Sequence, residues 1–283
     1  MKEPSAVTLL TAFNAGFAMT DMILLGTVVR RFGSRIGPHV KRNAFQWSQW
    51  ELPAAGFAYA GGIWSDKLVM WYGTSANGLV VANVLRTMPS YDTAMFWAQM
   101  ASIPVMAIAF VHVQTDLNNL FQRFYGRLGQ HTSLREISIA MQKLQKCVIS
   151  SVAKLFVTLA VVATLTILLS FVFMNELGLR PTYMSILRVA LWAMAFHSSA
   201  MFCFAYLLYF DLRRQALLVV LSYGIANTAL TWFLLPLGQA YYGYGSMIAA
   251  ALTFILAFTI ILRELPWLHY HAFITNNASV KRT

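Results

Sequence analysis

Between Gln215 and Leu262 the chain carries no charged residue over 48 consecutive positions. A helix crosses ~30 Å of hydrocarbon in about 20 residues. The run is therefore too long for one span and has to fold back on itself. Pro236-Leu237-Gly238 and Gly243-Tyr244-Gly245 supply the break, with Tyr241 and Tyr242 between them. Gly and Pro mark turns, and tyrosines favour the headgroup level. The run reads as two spans, at about 215–235 and 246–262. Inside lipid each backbone polar group needs a partner within the protein, which leaves helices as the solution.

Five further apolar segments lie at about 5–29, 52–72, 93–115, 155–174 and 189–210. The expected fold is all-α, a polytopic bundle of about seven spans. Composition agrees. Of 283 residues, 58% are hydrophobic and 11% charged, against about 45–50% and about 25% in soluble domains. This excludes a soluble domain, a disordered chain and a disulfide-stapled module. Cys147 and Cys203 lie far apart in sequence, one in a loop and one inside a span, and no disulfide is expected.

The net charge of +11 would suggest nucleic acid in a soluble protein. Here the position of the charges gives another account. Of 21 basic residues, 15 fall in the loops at 30–51, 116–149 and 211–214 and in the tail after Leu262. The alternate loops hold only Lys2, Arg86 and Arg180. Loops rich in Lys and Arg stay in the cytoplasm, so the N-terminus is expected outside and the C-terminus inside. No nucleic-acid module is expected.

Within loop 116–149, Leu117, Leu120, Phe121, Phe124 and Leu128 recur at helical spacing with Arg123 and Arg127 among them. That pattern predicts a basic amphipathic helix at the inner interface, ended by Gly126 and Gly129. Ser133-Leu-Arg-Glu136 is a capping-box pattern, and the helix it opens is expected to run into the fourth span.

Several polar residues fall in or beside spans. Asp66 and Lys67 sit in the second, where an ionisable residue near the centre costs about 2.5–3.5 kcal/mol. Asp66 is 14 residues from Leu52, about 21 Å along a helix, toward the outer leaflet. The pair reads as an interfacial anchor with Trp64, Trp71 and Tyr72 as belt neighbours, as a polar patch lining a transport path, or as a coupling carboxylate. The path reading predicts that Asp66 has a polar neighbour from another span. Asp21 and Asn14 share a face of the first span, as a cavity-facing pair or as glue between helices. His197, with Ser198 and Ser199, lies inside the fifth span, as a hydrogen-bonded structural histidine or as part of a cavity lining, and Arg188 near its outer end reads as an exit contact or a snorkelling anchor. Asp211, Arg213 and Arg214 form a tight cytoplasmic turn, read as local charge pairing ahead of substrate contact. Of His39, His112, His131, His197, His269 and His271, only the last two are close, and their spacing points them to different helix faces. No metal motif, nucleophile elbow or Walker A is present. Neither an enzyme nor a cofactor is expected.

Six separated stretches carry a resemblance. They are Ile63-Trp64-Ser65-Asp66-Lys67 with Met70-Trp71, then Ser90-Tyr91-Asp92-Thr93-Ala94-Met95-Phe96, then Gln114-Thr115-Asp116 with Phe124-Tyr125. Leu208-Tyr209-Phe210-Asp211-Leu212-Arg213-Arg214 and Tyr241-Tyr242-Gly243-Tyr244-Gly245 follow, and the chain closes with Leu268-His269-Tyr270 and Phe273. In this order they resemble the C-terminal part of the PelG family, exopolysaccharide exporters of the bacterial Pel system within the MATE/flippase superfamily. One departure is Gln114, where an acidic residue is expected. The resemblance implies the last seven of twelve spans. On that reading 1–29 is the last helix of a first bundle, 30–51 a cytoplasmic linker and 52–283 a second bundle of six, and the chain is expected to be a truncated form. It also implies a polysaccharide substrate rich in N-acetylgalactosamine, moved across a bacterial inner membrane. The partners implied are a cytosolic glycosyltransferase and membrane subunits controlled by cyclic-di-GMP, besides membrane lipid. Two alternatives stay open: an ion-coupled flippase for a lipid-linked sugar or small molecule, and a membrane scaffold for the glycosyltransferase.

Overall fold

The computed structural model describes residues 6–32, 49–73, 78–81, 85–129, 133–173 and 181–268. The segments 33–48, 130–132 and 269–283, with His39, His131, His269 and His271, lie outside it, so most of the expected linker and tail is not described. The chain divides into two compact units, Met1–Gln49 and Trp50–Thr283. The first contains α1 (Ala6–Phe32), which ends on Arg30 and Arg31. Within α1, Thr20 and Thr27 return their hydroxyls to the carbonyls of Gly16 and Ile23. Such back-bonding satisfies a hydroxyl without a partner helix.

The second unit holds α2 (Glu51–Gly73), α3 (Pro89–Gly129), α4 (Leu134–Phe173), α5 (Pro181–Tyr209), α6 (Arg213–Leu234) and α7 (Tyr244–Glu264). Among the described residues, six of the seven α-helices, all but α2, are long and apolar enough to cross a membrane. The protein is thus a multi-pass helical bundle. The second expected span corresponds to α2, whose Glu51, Asp66 and Lys67 lower its apolarity. It nevertheless runs the length of α6. Glu51 at its start meets Arg214 at 3.5 Å, and Gly73 at its end lies against Leu235.

Helix α2 packs on α6, α6 on α7, and α7 on α5; α5 in turn packs on α3 and α4. Gly62 and Gly224 bring the backbones of α2 and α6 together, and Gly245 of α7 lies against the Thr231 backbone of α6. Small residues allow this close approach where lipid gives no hydrophobic drive between helices. The α6–α7 break falls where the sequence places it. Two 3-10 turns, Leu235–Leu237 and Gln239–Tyr241, carry the chain around, and Gly238 and Gly243 take positive φ of 93° and 91°, a region glycine enters without Cβ strain.

Loop 116–149 is largely helical. α3 continues without a break to Gly129, and α4 starts at Leu134. At 41 and 40 residues, each is about 60 Å long at 1.5 Å per residue, twice the hydrocarbon thickness. The expected amphipathic segment is the continuation of α3. Leu117 is buried, and Phe121 packs edge-on against Tyr209 with ring centroids 4.6 Å apart. Protein therefore covers this part of its apolar side. Ser133 caps α4 as the pattern expects, with the Glu136 N–H donating to Ser133 Oγ at 3.4 Å. A short antiparallel ribbon, Leu79–Val81 with Leu85–Thr87, joins α2 to α3. The core has one cluster toward the α5–α6 turn, around Leu144, Phe202 and Leu207, and another toward the opposite end, around Met70, Tyr91 and Ile186. Outside these, large side chains such as Phe57, Val172 and Phe233 are exposed, as a lipid-facing surface requires.

Candidate functional site

α2 leans on α6, while α3 leans on α4 and α5. Between α2 and α3, with α5 as its floor, lies a partly open cavity of about 360 Å³. Asp66 and Lys67 border it from α2, Gln99 and Ser102 from α3, and His197 and Ser198 from α5. Its aromatic wall is Tyr59, His197 and Tyr223. The Tyr59 and His197 rings lie nearly parallel at 6.5 Å, and His197 and Tyr223 sit 4.6 Å apart. Buried His197 Nδ1 makes no hydrogen bond among the described residues.

Two side-chain ties join α2 to the start of α3. The Tyr91 hydroxyl donates to Asp66 Oδ2 at 2.6 Å, both side chains being buried. Among the described residues Asp66 Oδ1 makes no hydrogen bond; it faces Lys67 Nζ at 3.8 Å. Lys67 Nζ donates to the Ile63 carbonyl at 3.1 Å and lies 5.8 Å from the Trp64 ring. In the second tie Trp71 Nε1 donates to both Asp92 oxygens, at 3.1 and 3.0 Å. Asp92 also accepts the Met88 N–H at 3.0 Å, so one carboxylate caps the N-terminus of α3 and holds α2 beside it. A third cluster fixes α2 to α6. Buried Asn227 donates to the Gly62 carbonyl and to Ser65 Oγ, both at 3.1 Å.

Asp66 thus has the polar neighbour from another helix that the path reading expects. The structure brings Asp66, Lys67 and His197 to one cavity and leaves the other candidates outside its lining. Trp64 is half-exposed and meets Trp71 edge-on at 6.0 Å. Arg188 places its guanidinium 4.3 Å over Phe171 of α4. Arg213 pairs with Asp211 and Arg214 with Glu51. Asp211 takes φ 60° at the end of α5, a left-handed position that Asp tolerates better than most residues. Asp21 and Asn14 belong to α1, in the other unit. The side chains of His112, Gln114 and Asp116 lie outside the description.

Over residues 2–273 the chain matches the family described as PelG, "Putative exopolysaccharide Exporter (EPS-E)". The chain belongs to the PelG family. No curated protein and no solved structure matches it. Membership of an exporter family points to transport rather than catalysis. Two of the stretches that carried the PelG resemblance, the one holding Asp66 and the one holding Tyr91 and Asp92, meet in the ties just described. Tyr91 and Asp92 were legible as motif residues without an assigned place, and Trp71 as a belt neighbour of Lys67. Tyr59, Gln99, Ser102, Tyr223 and Asn227 were missed. Asn227 had a signal, as the one amide between Gln215 and Gln239, where an intramembrane polar group calls for a partner. The aromatic residues had none, because the sequence is rich in them throughout.

Proposed function

We propose that this protein is an inner-membrane transporter subunit that moves an exopolysaccharide from cytoplasm to periplasm, and that the cavity between α2 and α3 is part of the sugar path. The observation that carries the reading is the buried Asp66–Tyr91 pair at the edge of a polar, aromatic-walled cavity in an otherwise apolar bundle. A sugar offers hydroxyls that need hydrogen-bond partners and ring faces that pack on aromatic groups. Asp66, Lys67, Gln99 and Ser198 supply the first, and Tyr59, His197 and Tyr223 the second. A few convergent polar groups on an apolar wall are the usual composition of a ligand site.

The family supports a Pel-like polymer rich in N-acetylgalactosamine, made by a cytosolic glycosyltransferase and passed on with cyclic-di-GMP-controlled membrane subunits. The basic asymmetry supports an external N-terminus and a cytoplasmic C-terminus. The ion-coupled alternative has less behind it, since the Lys67 ammonium already stands 3.8 Å from Asp66 and competes with any cation for that carboxylate.

The test is Asp66→Ala in cells that make the polymer. Export should fall several-fold at unchanged protein level and unchanged recruitment of the synthase. Retained recruitment with blocked export also argues against a scaffold. Normal export would return Asp66 and Lys67 to the role of interfacial anchors.

A further inference from the structure

A second groove lies away from the sugar cavity, between α3 and α4. Its volume is about 220 Å³, and its lining is apolar, with Val105, Ile108 and Ala109 from α3, Leu155 and Thr158 from α4 and Phe202 of α5 as its floor. One cationic side chain, Lys154, stands at it with Ser151. Lys154 is exposed, and among the described residues no acidic side chain pairs with it.

Two markers set the depth of this groove. On α4, Lys154 directly precedes the apolar segment 155–174, whose 20 residues are the length that crosses a hydrocarbon thickness of ~30 Å. On α3, Ile108 lies seven residues before the end of the apolar segment 93–115, about 10 Å of helix. The α4 segment therefore puts the ammonium at the hydrocarbon–headgroup boundary, and the α3 segment puts the apolar furrow inside it. Lys143 follows on nearly the same face of α4, three turns farther from the hydrocarbon, and is also exposed.

We infer that this groove is a binding site for an anionic phospholipid, with one acyl chain along Val105, Ile108 and Phe202 and the headgroup phosphate on Lys154 and Ser151. An ammonium at the mouth of an apolar furrow between membrane helices matches the two halves of such a lipid, and basic pockets between spans take anionic headgroups. A zwitterionic lipid fills the furrow equally well but carries a cation that repels Lys154.

The test is native mass spectrometry of the full chain, released from nanodiscs of phosphatidylcholine containing a minority of phosphatidylglycerol. One phosphatidylglycerol per protein should be retained after the annular lipids are stripped. Lys154→Gln should weaken that retention about fivefold, the scale of one basic residue at a membrane surface. Thr158→Trp, which fills the furrow and keeps the charge, should also lower it. Lys143→Gln, beyond the furrow, should leave it unchanged. Equal retention of the two lipids, or equal losses in Lys154→Gln and Lys143→Gln, would overturn the site in favour of diffuse surface charge. Should Lys154→Gln fail to accumulate, Thr158→Trp decides alone: undiminished phosphatidylglycerol retention in it refutes the site.

Discussion

Asp66 has two oxygens with different surroundings. Oδ2 takes the Tyr91 hydroxyl and Oδ1 faces the Lys67 ammonium. Removing the hydroxyl with Tyr91→Phe leaves a buried acceptor without a donor, a loss of about 1–3 kcal/mol. Thermal unfolding of the purified protein in detergent should show a lower midpoint for Tyr91→Phe. The losses in Asp66→Ala and Tyr91→Phe should be non-additive in the double variant, since each removes the same bond. Additive losses would mean that the bond contributes nothing. Asn227→Ala should cost about 0.6–1.7 kcal/mol, the range for hydrogen bonds between membrane helices, and a midpoint equal to wild type would remove Asn227 from the α2–α6 tie. At this scale the sequence marked the charges and not their company. An ionisable pair in a span is conspicuous by its insertion penalty. Which of the chain's tyrosines bonds Asp66 depends on how α3 enters beside α2, and no local pattern encodes that.

Helices were legible wherever periodicity and length agreed, and less so where tertiary packing decided. The uncharged run gave α6, α7 and the turn between them. Ser133 and Glu136 gave the start of α4. Loop 116–149 was divided by its charges, but charges on one side of a helix do not stop it. α3 runs on because Leu117 and Phe121 find apolar cover in the α5–α6 turn. The short ribbon before α3 escaped the reading because three-residue strands carry too little alternation to register. Glycine roles, too, emerge only from contacts. A Cβ on Gly245 would fall 2.6 Å from the Thr231 amide nitrogen, whereas one on Gly61 would meet nothing within 4 Å. Gly245→Ala must push α7 off α6 backbone and should cost about 1–3 kcal/mol, as overpacking does. Gly61→Ala should leave the unfolding midpoint in place. Equal effects in the two variants would show that the α6–α7 approach is not tight.

The orientation of the whole bundle rests on where its basic residues gather. Arg135, Lys143 and Lys146 lie on the first half of α4, Arg213 and Arg214 at the α5–α6 turn, and Arg263 in the last turn of α7. These share one end, because Leu265 and Leu268 after α7 join the same core cluster as Ile137 and Leu144 of α4. Arg86 of the ribbon belongs to the other end, beside the close of α2 and the start of α3. The inside rule assigns the rich end to the cytoplasm. Native Cys147 is only half-buried, so the cleaner test replaces it with Ser and adds one exposed cysteine at a time. With Arg86→Cys, a membrane-impermeant thiol reagent applied to intact cells should label the protein. With Lys143→Cys it should label only inverted vesicles. The reverse pattern would turn the molecule over and reverse the direction of the proposed path, while the packing of α2 on α6 and the Asp66–Tyr91 bond would stand, since neither depends on which side faces the cytoplasm.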